Sequence, residues 1–273
     1  MRIPFIKMHG LGNDFVVLDA REGALPPIGT EAASRLADRH RGIGCDQLII
    51  LRPSEGADFA VEIRNSDGSE AEACGNAFRA IGLLHGTAAR VETTGGTISI
   101  DPVAEGISVE MAAPRFDWQA IPLAFAMDTA SMPIAWEDLQ NPAAVNVGNP
   151  HVVFFVDDTD AIDLARIGPQ IENDPLFPQK VNVNVATIEN GDRVRLRVWE
   201  RGAGLTQACG TGACASAVAA IRRGLVGSPV TVALPGGELS VRWREGEPLV
   251  MTGPATEAFR GAFDAASYGI EAA

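Results

Sequence analysis

Residues 72–77 read Glu-Ala-Cys-Gly-Asn-Ala and residues 207–212 read Gln-Ala-Cys-Gly-Thr-Gly, and this repeated stretch decides the interpretation of the fold. The two cysteines, Cys74 and Cys209, lie 135 residues apart. Self-similarity at a fixed spacing is the signature of a repeated structural unit. The two halves of the chain are therefore predicted to be copies of one domain.

Further matches follow in the same order on both sides of this stretch, with a small drift in spacing that indicates short loop insertions. They pair Gly12-Asn13 with Gly148-Asn149, Gln47 with Asn182, Asn65 with Glu200, residues 94–100 with 235–241, and Met111 with Met251. The stretch from Pro114 to Pro122 is rich in proline and lacks a periodic pattern, as a linker does. We predict one domain over residues 1–117, a second over 118–261, and a tail, 262–273, that returns to the first.

Each copy combines short runs typical of strands with one helix that begins directly after the cysteine. The strand-like runs are 15–18, 47–50, 152–156 and 194–198, each bounded by Gly, Asp or Asn. The helices are predicted over 77–84 and 213–223, with Gly86 and Gly224 as their stops. Gly95-Gly96 and Gly236-Gly237 are predicted hairpin turns. The fold class is α+β, with two pseudo-symmetric domains, each a β-barrel-like sheet wrapped around a central helix.

Composition excludes several classes of protein. With 46% hydrophobic and 21% charged residues among 273, the chain is typical of a globular protein with room for two cores. A formal net charge of -13 argues against a nucleic-acid partner, because phosphate binding needs clustered Lys and Arg. No long apolar run or secretion signal is visible, so we expect no membrane association and a cytoplasmic location. The four cysteines are then expected to be reduced.

The position of Cys74 and Cys209 gives them a chemical role. A helix N-terminus carries unpaired N–H groups and a partial positive charge, which lowers the pKa of a thiol there and can hold a carboxylate. If one thiolate removes the α-proton of an amino acid and the other thiol delivers a proton to the opposite face, the configuration inverts. The repeat therefore predicts a two-base amino-acid epimerase.

No cofactor is expected. A pyridoxal phosphate enzyme needs a Schiff-base lysine, whereas this chain has only Lys7 and Lys180, neither in a Gly-rich phosphate-binding setting. The four histidines and four cysteines show no paired spacing typical of metal ligands.

Eight motifs along nearly the whole chain carry a resemblance to a known family. They are residues 8–15, 38–40 with 44–48, 65–70, 73–76, 148–151, 200–204, 207–213 and 251–255. Any one of them is weak, whereas the ordered set is specific, and together they resemble the diaminopimelate epimerase family.

The resemblance implies interconversion of LL- and meso-diaminopimelate, in the synthesis of lysine and peptidoglycan precursors, by a homodimer without a cofactor. It makes Cys74 and Cys209 the acid/base pair and His151 and Glu200 the residues that tune their pKa values. The implied substrate-binding residues are Asn13, Gln47, Asn65, Gly75, Asn76, Asn149, Asn182, Glu200, Arg201, Gly210 and Thr211. Among these, Arg201 suits the carboxylate of the distal, unreacting amino-acid end, since a guanidinium binds a carboxylate in bidentate fashion.

A few positions depart from the common family pattern. The residues after Cys74 are Ala77, Phe78, Arg79 and Ala80, where the family often has Gly, a variable residue, Arg and Cys. Cys45 stands where Phe is frequent, and Phe259 where a Tyr that helps to pair subunits is common. These changes affect the predicted helix packing, pocket wall and dimer contacts, and none removes an acid/base residue.

Two other functions stay open at this point. A racemase of the same fold acting on proline or hydroxyproline would have no use for polar residues that hold a distal amino-acid end. A non-catalytic binding protein would not need a cysteine at both helix starts. Cys45 and Cys214 are interpreted as small core residues without a chemical role.

Overall fold

The computed structural model describes residues 1–23, 25–71 and 74–271, and the chain divides into two compact units. Unit 1 is Met1–Val109 with Pro254–Ala273, and unit 2 is Glu110–Gly253. Glu72 and Ala73 of the repeated stretch, and residues 272–273 of the predicted tail, lie outside the described residues.

Both unit boundaries lie earlier than the 117/118 and 261/262 that we predicted. The chain leaves unit 1 after Val109 and returns at Pro254. The return is early because the last strand, Thr256–Asp264, pairs along its whole length with the first strand of the chain. The returning segment is therefore part of the sheet of unit 1.

Unit 1 is built mainly of strands. Its elements are β1 (Arg2–Gly10), β2 (Asn13–Asp19), α1 (Thr30–Ala37), β3 (Gln47–Arg52), β4 (Phe59–Asn65), β5 (Glu70–Ala71), α2 (Gly75–His85), β6 (Ala89–Thr93), β7 (Gly96–Val103), β8 (Gly106–Met111) and the returning β19 (Thr256–Asp264). Strand β1 is antiparallel to β2 and β19, and β3 is antiparallel to β4. The pairs β2–β3 and β4–β6 are parallel.

From its third strand onward, unit 2 repeats the order of β1 to β8, and a short hairpin formed by its first two strands precedes that repeat. Its elements are β9 (Ala135–Trp136), β10 (Leu139–Gln140), β11 (Ala143–Asn146), β12 (Pro150–Phe155), α3 (Leu164–Glu172), β13 (Asn182–Asn190), β14 (Arg193–Glu200), β15 (Gly204–Leu205), α4 (Gly210–Arg222), β16 (Val230–Leu234), β17 (Gly237–Arg242) and β18 (Leu249–Gly253). Here β12–β13 and β14–β16 are the parallel pairs, and β13–β14 is antiparallel.

The strand register confirms the duplication residue by residue. Phe15 lies opposite Gln47 in β2–β3, and His151 lies opposite Asn182 in β12–β13. Gln47 and Asn182 are the same pair that the sequence repeat aligned. Three of the four predicted strands lie within observed ones, and the fourth, 152–156, extends one residue beyond β12. The predicted glycine turns join β6 to β7 and β16 to β17.

Each unit also contains a second helix that the sequence analysis did not predict. Helix α1 connects β2 to β3, and α3 connects β12 to β13. A helix is the usual connection here, since parallel neighbouring strands need a crossover of a dozen or more residues. The long gaps between the predicted strands were the available signal. Both helices bury their apolar faces, α1 through Leu36 and α3 through Ile167 and Ile171.

The helices that follow the two cysteines are central to their units, as predicted. Helix α2 is buried from Gly75 to Gly82, and it packs so closely on β8 that a Cβ at Gly82 would lie 2.4 Å from Ile107. Helix α4 contacts strands β11 to β14 and β16 to β18. Small residues give α4 this close approach on nearly every side.

Of the positions that depart from the family pattern, those in α2 and Cys45 lie in the core, whereas Phe259 is half-exposed. Phe78 is fully buried in α2, and Cys45 packs in the apolar core of unit 1 with residues of β3 and α1. Burial raises the pKa of the Cys45 thiol to about 11. Cys214 is also fully buried. The interpretation of Cys45 and Cys214 as core residues agrees with this placement.

Among the described residues, no helix is both long and apolar enough to cross a bilayer.

Candidate active site

Each of the two repeated cysteines occupies the N-cap position of a central helix. Cys74 precedes Gly75, the first residue of α2, and Cys209 precedes Gly210, the first residue of α4. Both cysteines have extended backbone angles, with φ of -143° and -125°. The first backbone N–H groups of each helix, which have no partner inside the helix, therefore lie beside a thiol.

The two cysteines differ in their surroundings. Cys209 is 3% exposed, and its Sγ accepts a hydrogen bond from the N–H of Gly212 at 3.4 Å. Cys74 is partly exposed, and its Sγ donates to Oδ1 of Asn13 at 3.7 Å. The same oxygen accepts a hydrogen bond from Asn76 Nδ2 at 3.1 Å. Equivalent positions in the two copies thus give the two thiols different partners.

The amide of Asn13 is held in one orientation by a carboxylate. Asn13 Nδ2 donates to Asp46 Oδ2 at 2.9 Å, and because a carboxylate only accepts hydrogen bonds, Asn13 Oδ1 is turned toward Cys74. Arg39 in turn binds both Asp46 and Asp14, at 2.6 Å to each. Burial alone would raise the pKa of Asp14, but hydrogen bonds from Arg39 and Lys7 hold that pKa below its usual range.

Three members of this ionic cluster (Lys7, Asp14, Arg39, Asp46) were quoted in the sequence motifs only as part of the resemblance, and Lys7 was considered only as a possible Schiff-base lysine. None of its members was predicted to act in the site. The signal that could have identified it is that Asp14, Arg39 and Asp46 share motifs with Asn13 or Gln47, and that Lys7 directly precedes the first motif.

A fully buried arginine supports the start of α2. Arg79 donates to Asn76 Oδ1 at 2.9 Å and to the carbonyl oxygen of Pro254 at 3.1 Å. Gly10 leaves room for it, since a Cβ there would lie 2.9 Å from Arg79 Nη2. Arg79 therefore fixes Asn76 and, through Asn76, the amide of Asn13 next to Cys74.

Gln47 and Asn65 lie opposite each other in β3–β4 and are hydrogen-bonded, with Gln47 Nε2 donating to Asn65 Oδ1 at 3.1 Å. Asn65 Nδ2 donates to Ser69 Oγ at 3.1 Å. Gln47 Oε1 is buried and has no hydrogen-bond partner among the described residues. A buried acceptor without a partner is costly in a folded protein, so this oxygen is available to a ligand that donates hydrogen bonds.

The pKa of Cys209 differs from the expectation for a helix N-terminus. We expected that position to lower the pKa of the thiol, whereas burial and the negative charge of Glu200 raise it well above its usual value. The hydrogen bonds from Thr211 and Gly212 act in the opposite direction and do not compensate. Cys209 is therefore a neutral thiol at pH 7.

Glu200 ends β14, and its carboxylate is anchored by Thr206 Oγ1, which donates to Oε1 at 2.5 Å.

The exposed Arg201 donates to the carbonyl oxygen of Gln179 at 3.0 Å. Asn182 is buried, with Nδ2 donating to Pro150 O at 2.9 Å and Oδ1 accepting from the Arg201 N–H at 2.9 Å. Both amide atoms of Asn182 are engaged within the protein, so its predicted contact with substrate stays a prediction.

His151 is fully buried between two asparagines. Nε2 lies 2.8 Å from Asn149 Oδ1, and Nδ1 lies 3.1 Å from Asn184 Nδ2. Burial lowers the pKa of His151 to about 3, with a smaller contribution from the charge of Arg201. His151 is thus uncharged at neutral pH and acts through hydrogen bonds. Asn184 was not predicted, because a single asparagine inside a strand has no sequence signal.

Each unit contains one set of predicted residues, some at the start of the central helix and others in or next to strands of the same unit. In unit 1 these are Asn13, Gln47, Asn65, Cys74, Gly75 and Asn76, and in unit 2 Asn149, His151, Asn182, Glu200, Arg201, Cys209, Gly210 and Thr211. Each set joins a thiol to helix N–H groups and to amide side chains. Such a set can bind a carboxylate and exchange a proton next to it.

The family model and the sequence relatives that match this chain agree on one family. The family model described as diaminopimelate epimerase matches residues 5–116 and 143–257. The diaminopimelate epimerase of Erythrobacter litoralis (strain HTCC2594) is 61% identical over 268 residues, which cover 98% of this chain and 100% of the relative.

Solved structures show the same fold at low sequence identity. A Bacillus anthracis phenazine biosynthesis protein of the PhzF family has a TM-score of 0.71 and 16% identity, covering 96% of this chain and 99% of its own. A probable proline racemase from Agrobacterium radiobacter K84 has a TM-score of 0.68 and 17% identity, covering 95% of this chain and 92% of its own. At these identities the likeness concerns the fold alone.

Proposed function

This chain belongs to the diaminopimelate epimerase family and is an isomerase, and we propose that it interconverts LL- and meso-diaminopimelate in the synthesis of lysine and peptidoglycan precursors. The observation that carries the proposal is the pair of cysteines at equivalent N-caps of two duplicated helices. One such thiol could be a structural residue, whereas two in matched settings suit a reaction with two proton carriers.

The proposed mechanism is a two-base proton transfer. In one direction Cys74, after losing to solvent the thiol proton that it donates to Asn13 Oδ1, removes the α-proton as a thiolate, and Cys209 delivers its thiol proton to the opposite face of the same carbon. In the reverse direction the roles exchange. The raised pKa of Cys209 supports its assignment as the resting thiol, that is, as the acid of the first direction. The mechanism requires that the two thiols reach opposite faces of the α-carbon.

The carbanion formed on proton removal is stabilised through the α-carboxylate. We assign its binding to the backbone N–H groups of Gly75, Asn76, Gly210 and Thr211, which begin α2 and α4. Helix N-termini bind anions well, and donors placed where negative charge develops lower the barrier to reaction.

The distal amino-acid end of diaminopimelate needs both acceptors and donors. Gln47 Oε1, buried without a partner among the described residues, suits the distal ammonium group. The remaining guanidinium donors of the exposed Arg201 suit the distal carboxylate. Asn13, Asn65, Asn149, Asn182 and Glu200 complete the proposed binding set.

We propose that Glu200 and His151 set the pKa values of the cysteines through different physical effects. Glu200 acts on Cys209 through its charge and through a hydrogen bond from the thiol. His151 is uncharged, so any influence it has comes from hydrogen bonding.

The reaction is also proposed to need no cofactor and to occur in a cytoplasmic homodimer. The half-exposed Phe259, which packs edge-on against Phe5 at 6.0 Å between ring centres, is the proposed dimer contact.

The Glu200→Gln variant should ionise Cys209 at a lower pH than the wild-type protein. Removing the negative charge removes one of the two main effects that raise the pKa of Cys209, so the limb of the pH–rate profile that Cys209 governs should move to lower pH. Activity should also fall by about 100-fold, within the range for a group that assists proton transfer. The measurement is kcat/KM against pH for both directions.

The control is Glu189→Gln, which makes the same change in net charge at an exposed carboxylate bound to Arg193 and Arg195. Its profile should match the wild-type profile. A limb that stays in place in Glu200→Gln, or that moves equally in both variants, would contradict the role of Glu200.

The proposed function is tested by α-proton exchange. Reduced enzyme in D₂O should incorporate deuterium at the α-carbon of LL-diaminopimelate and produce the meso isomer, as followed by NMR. Exchange with proline or hydroxyproline but not with diaminopimelate would favour the racemase alternative. Binding without exchange of any amino acid would favour a non-catalytic protein.

A further inference from the structure

A buried polar pair, His151 and Asn184, is present in unit 2 and has no counterpart in unit 1. The strand registers align His151 with Phe15 and Asn184 with Ile49. Both members of the polar pair are fully buried, as are their two apolar equivalents. The fold therefore forms with apolar residues at these positions, and the polar pair in unit 2 calls for an explanation beyond folding.

The helix opposite Asn184 is adapted to this asparagine. A Cβ at Gly212 would lie 2.8 Å from Asn184 Oδ1, so only a glycine leaves enough space there. In unit 1 the equivalent of Gly212 is Ala77, and the equivalent of Asn184 is Ile49. Gly212 and Asn184 thus differ together from Ala77 and Ile49.

Acceptors around Asn184 fix the direction of its amide. Asn184 Nδ2 donates to the carbonyl oxygen of Val152 at 2.9 Å, and the flipped amide would place two oxygens against each other. The same Nδ2 faces His151 Nδ1 at 3.1 Å, so this ring nitrogen must be the acceptor. Because an uncharged imidazole has one N–H, the proton of His151 is on Nε2.

The position of this proton decides which atom of Asn149 is presented to a ligand. His151 Nε2–H donates to Asn149 Oδ1 at 2.8 Å, which leaves Nδ2 as the outward group of the partly exposed Asn149. No hydrogen bond among the described residues uses that Nδ2. Asn13, the equivalent residue in unit 1, is held the opposite way by Asp46 and turns its oxygen to Cys74.

We propose that Asn184 is a positioning residue, which fixes the Nε2–H tautomer of His151 so that Asn149 presents an N–H donor to a carboxylate of the substrate. The proposal rests on the proposed function for the identity of that substrate. It explains why one asparagine of the duplicated pair offers a donor while the other offers an acceptor, and it gives His151 a role that needs no charge.

The first test reads the tautomer directly. Long-range ¹H–¹⁵N NMR of histidine-labelled protein without substrate, with the His151 signals identified by their loss in His151→Gln, should show the Nε2–H pattern in the wild-type protein. In Asn184→Leu, which is similar in size and has no N–H, that pattern should give way to a mixture of tautomers. An Nδ1–H or doubly protonated ring in the wild-type protein at pH 7 would overturn the proposal.

The second test is kinetic and uses a matched control. Asn184→Leu should raise KM for diaminopimelate by about tenfold and change kcat much less, because one oriented hydrogen bond to the substrate is lost. The control, Thr187→Val, removes another buried hydrogen bond of β13, the one from the Thr159 N–H, and should leave KM and the tautomer unchanged. Equal effects of the two variants, or an unchanged tautomer in Asn184→Leu, would overturn the proposal.

These tests separate the proposal from the proposed function. The tautomer is measured without substrate, and wild-type α-proton exchange is measured without any variant. If the wild-type protein shows the Nε2–H tautomer but no α-proton exchange, the proposed function is wrong and the tautomer assignment is still correct.

Discussion

Replacing either Cys74 or Cys209 by alanine should abolish epimerisation. A positioned acid or base contributes about 10²–10⁴-fold to a rate, and inversion needs one on each face of the carbon, so the loss should reach the upper part of that range. A variant with one remaining thiol can only return a proton to the face from which it came. We therefore expect α-proton exchange without inversion, and only for the configuration whose proton faces the remaining cysteine. NMR in D₂O measures both.

The other two cysteines provide the controls. Cys45→Ala and Cys214→Ala remove buried thiols that pack in the cores, and both variants should keep inversion at close to the wild-type rate while losing about 1 kcal/mol of stability. If Cys74→Ala or Cys209→Ala retained most of the inversion rate, the two-base mechanism would be wrong.

The largest effect on stability is expected for Arg79→Met. The variant keeps most of the side-chain volume but removes the charged group that donates to Asn76 Oδ1 and to Pro254 O. Hydrogen bonds from a charged group contribute about 1.5–3 kcal/mol each, and Asn76, one of the two acceptors left behind, is buried, so the free energy of unfolding should fall by about 3–5 kcal/mol. Urea unfolding followed by circular dichroism provides the measurement.

Arg79→Met should also lower activity under conditions where the protein remains folded, because Asn76 and the amide of Asn13 next to Cys74 lose their support. The matched control is Arg90→Met on β6 of the same unit, where the arginine is exposed and a change within about 0.5 kcal/mol is expected. Similar urea midpoints for the two variants would show that the buried hydrogen bonds of Arg79 have little net effect.

Much of the fold could be predicted because duplication repeats local information. The matched stretches around Cys74 and Cys209 located both central helices, and the glycines at 86 and 224 located their ends. The crossover helices α1 and α3 and the early return of the chain at Pro254 were not predicted. They depend on which strands become neighbours, and strand pairing is a long-range property that a local pattern does not contain.

The candidate site divides in the same way. Residue type and spacing indicated the thiols and the helix N-termini, and the family resemblance implied the amide side chains. Which atom of an amide is presented to the site, however, depends on a partner far along the chain. Asp46 orients Asn13, and we propose that Asn184, through His151, orients Asn149.

By itself the sequence determined that this protein has two copies of one domain, a cysteine at the start of each central helix, and the motifs of the diaminopimelate epimerase family. The tertiary structure alone decided the difference between the copies. It buried Cys209 beside Glu200 so that its pKa rises, and it left Cys74 partly exposed beside Asn13. The physical reason is that a helix N-terminus is a local feature, whereas desolvation and neighbouring charge, which outweigh it at Cys209, arise only when distant segments pack together.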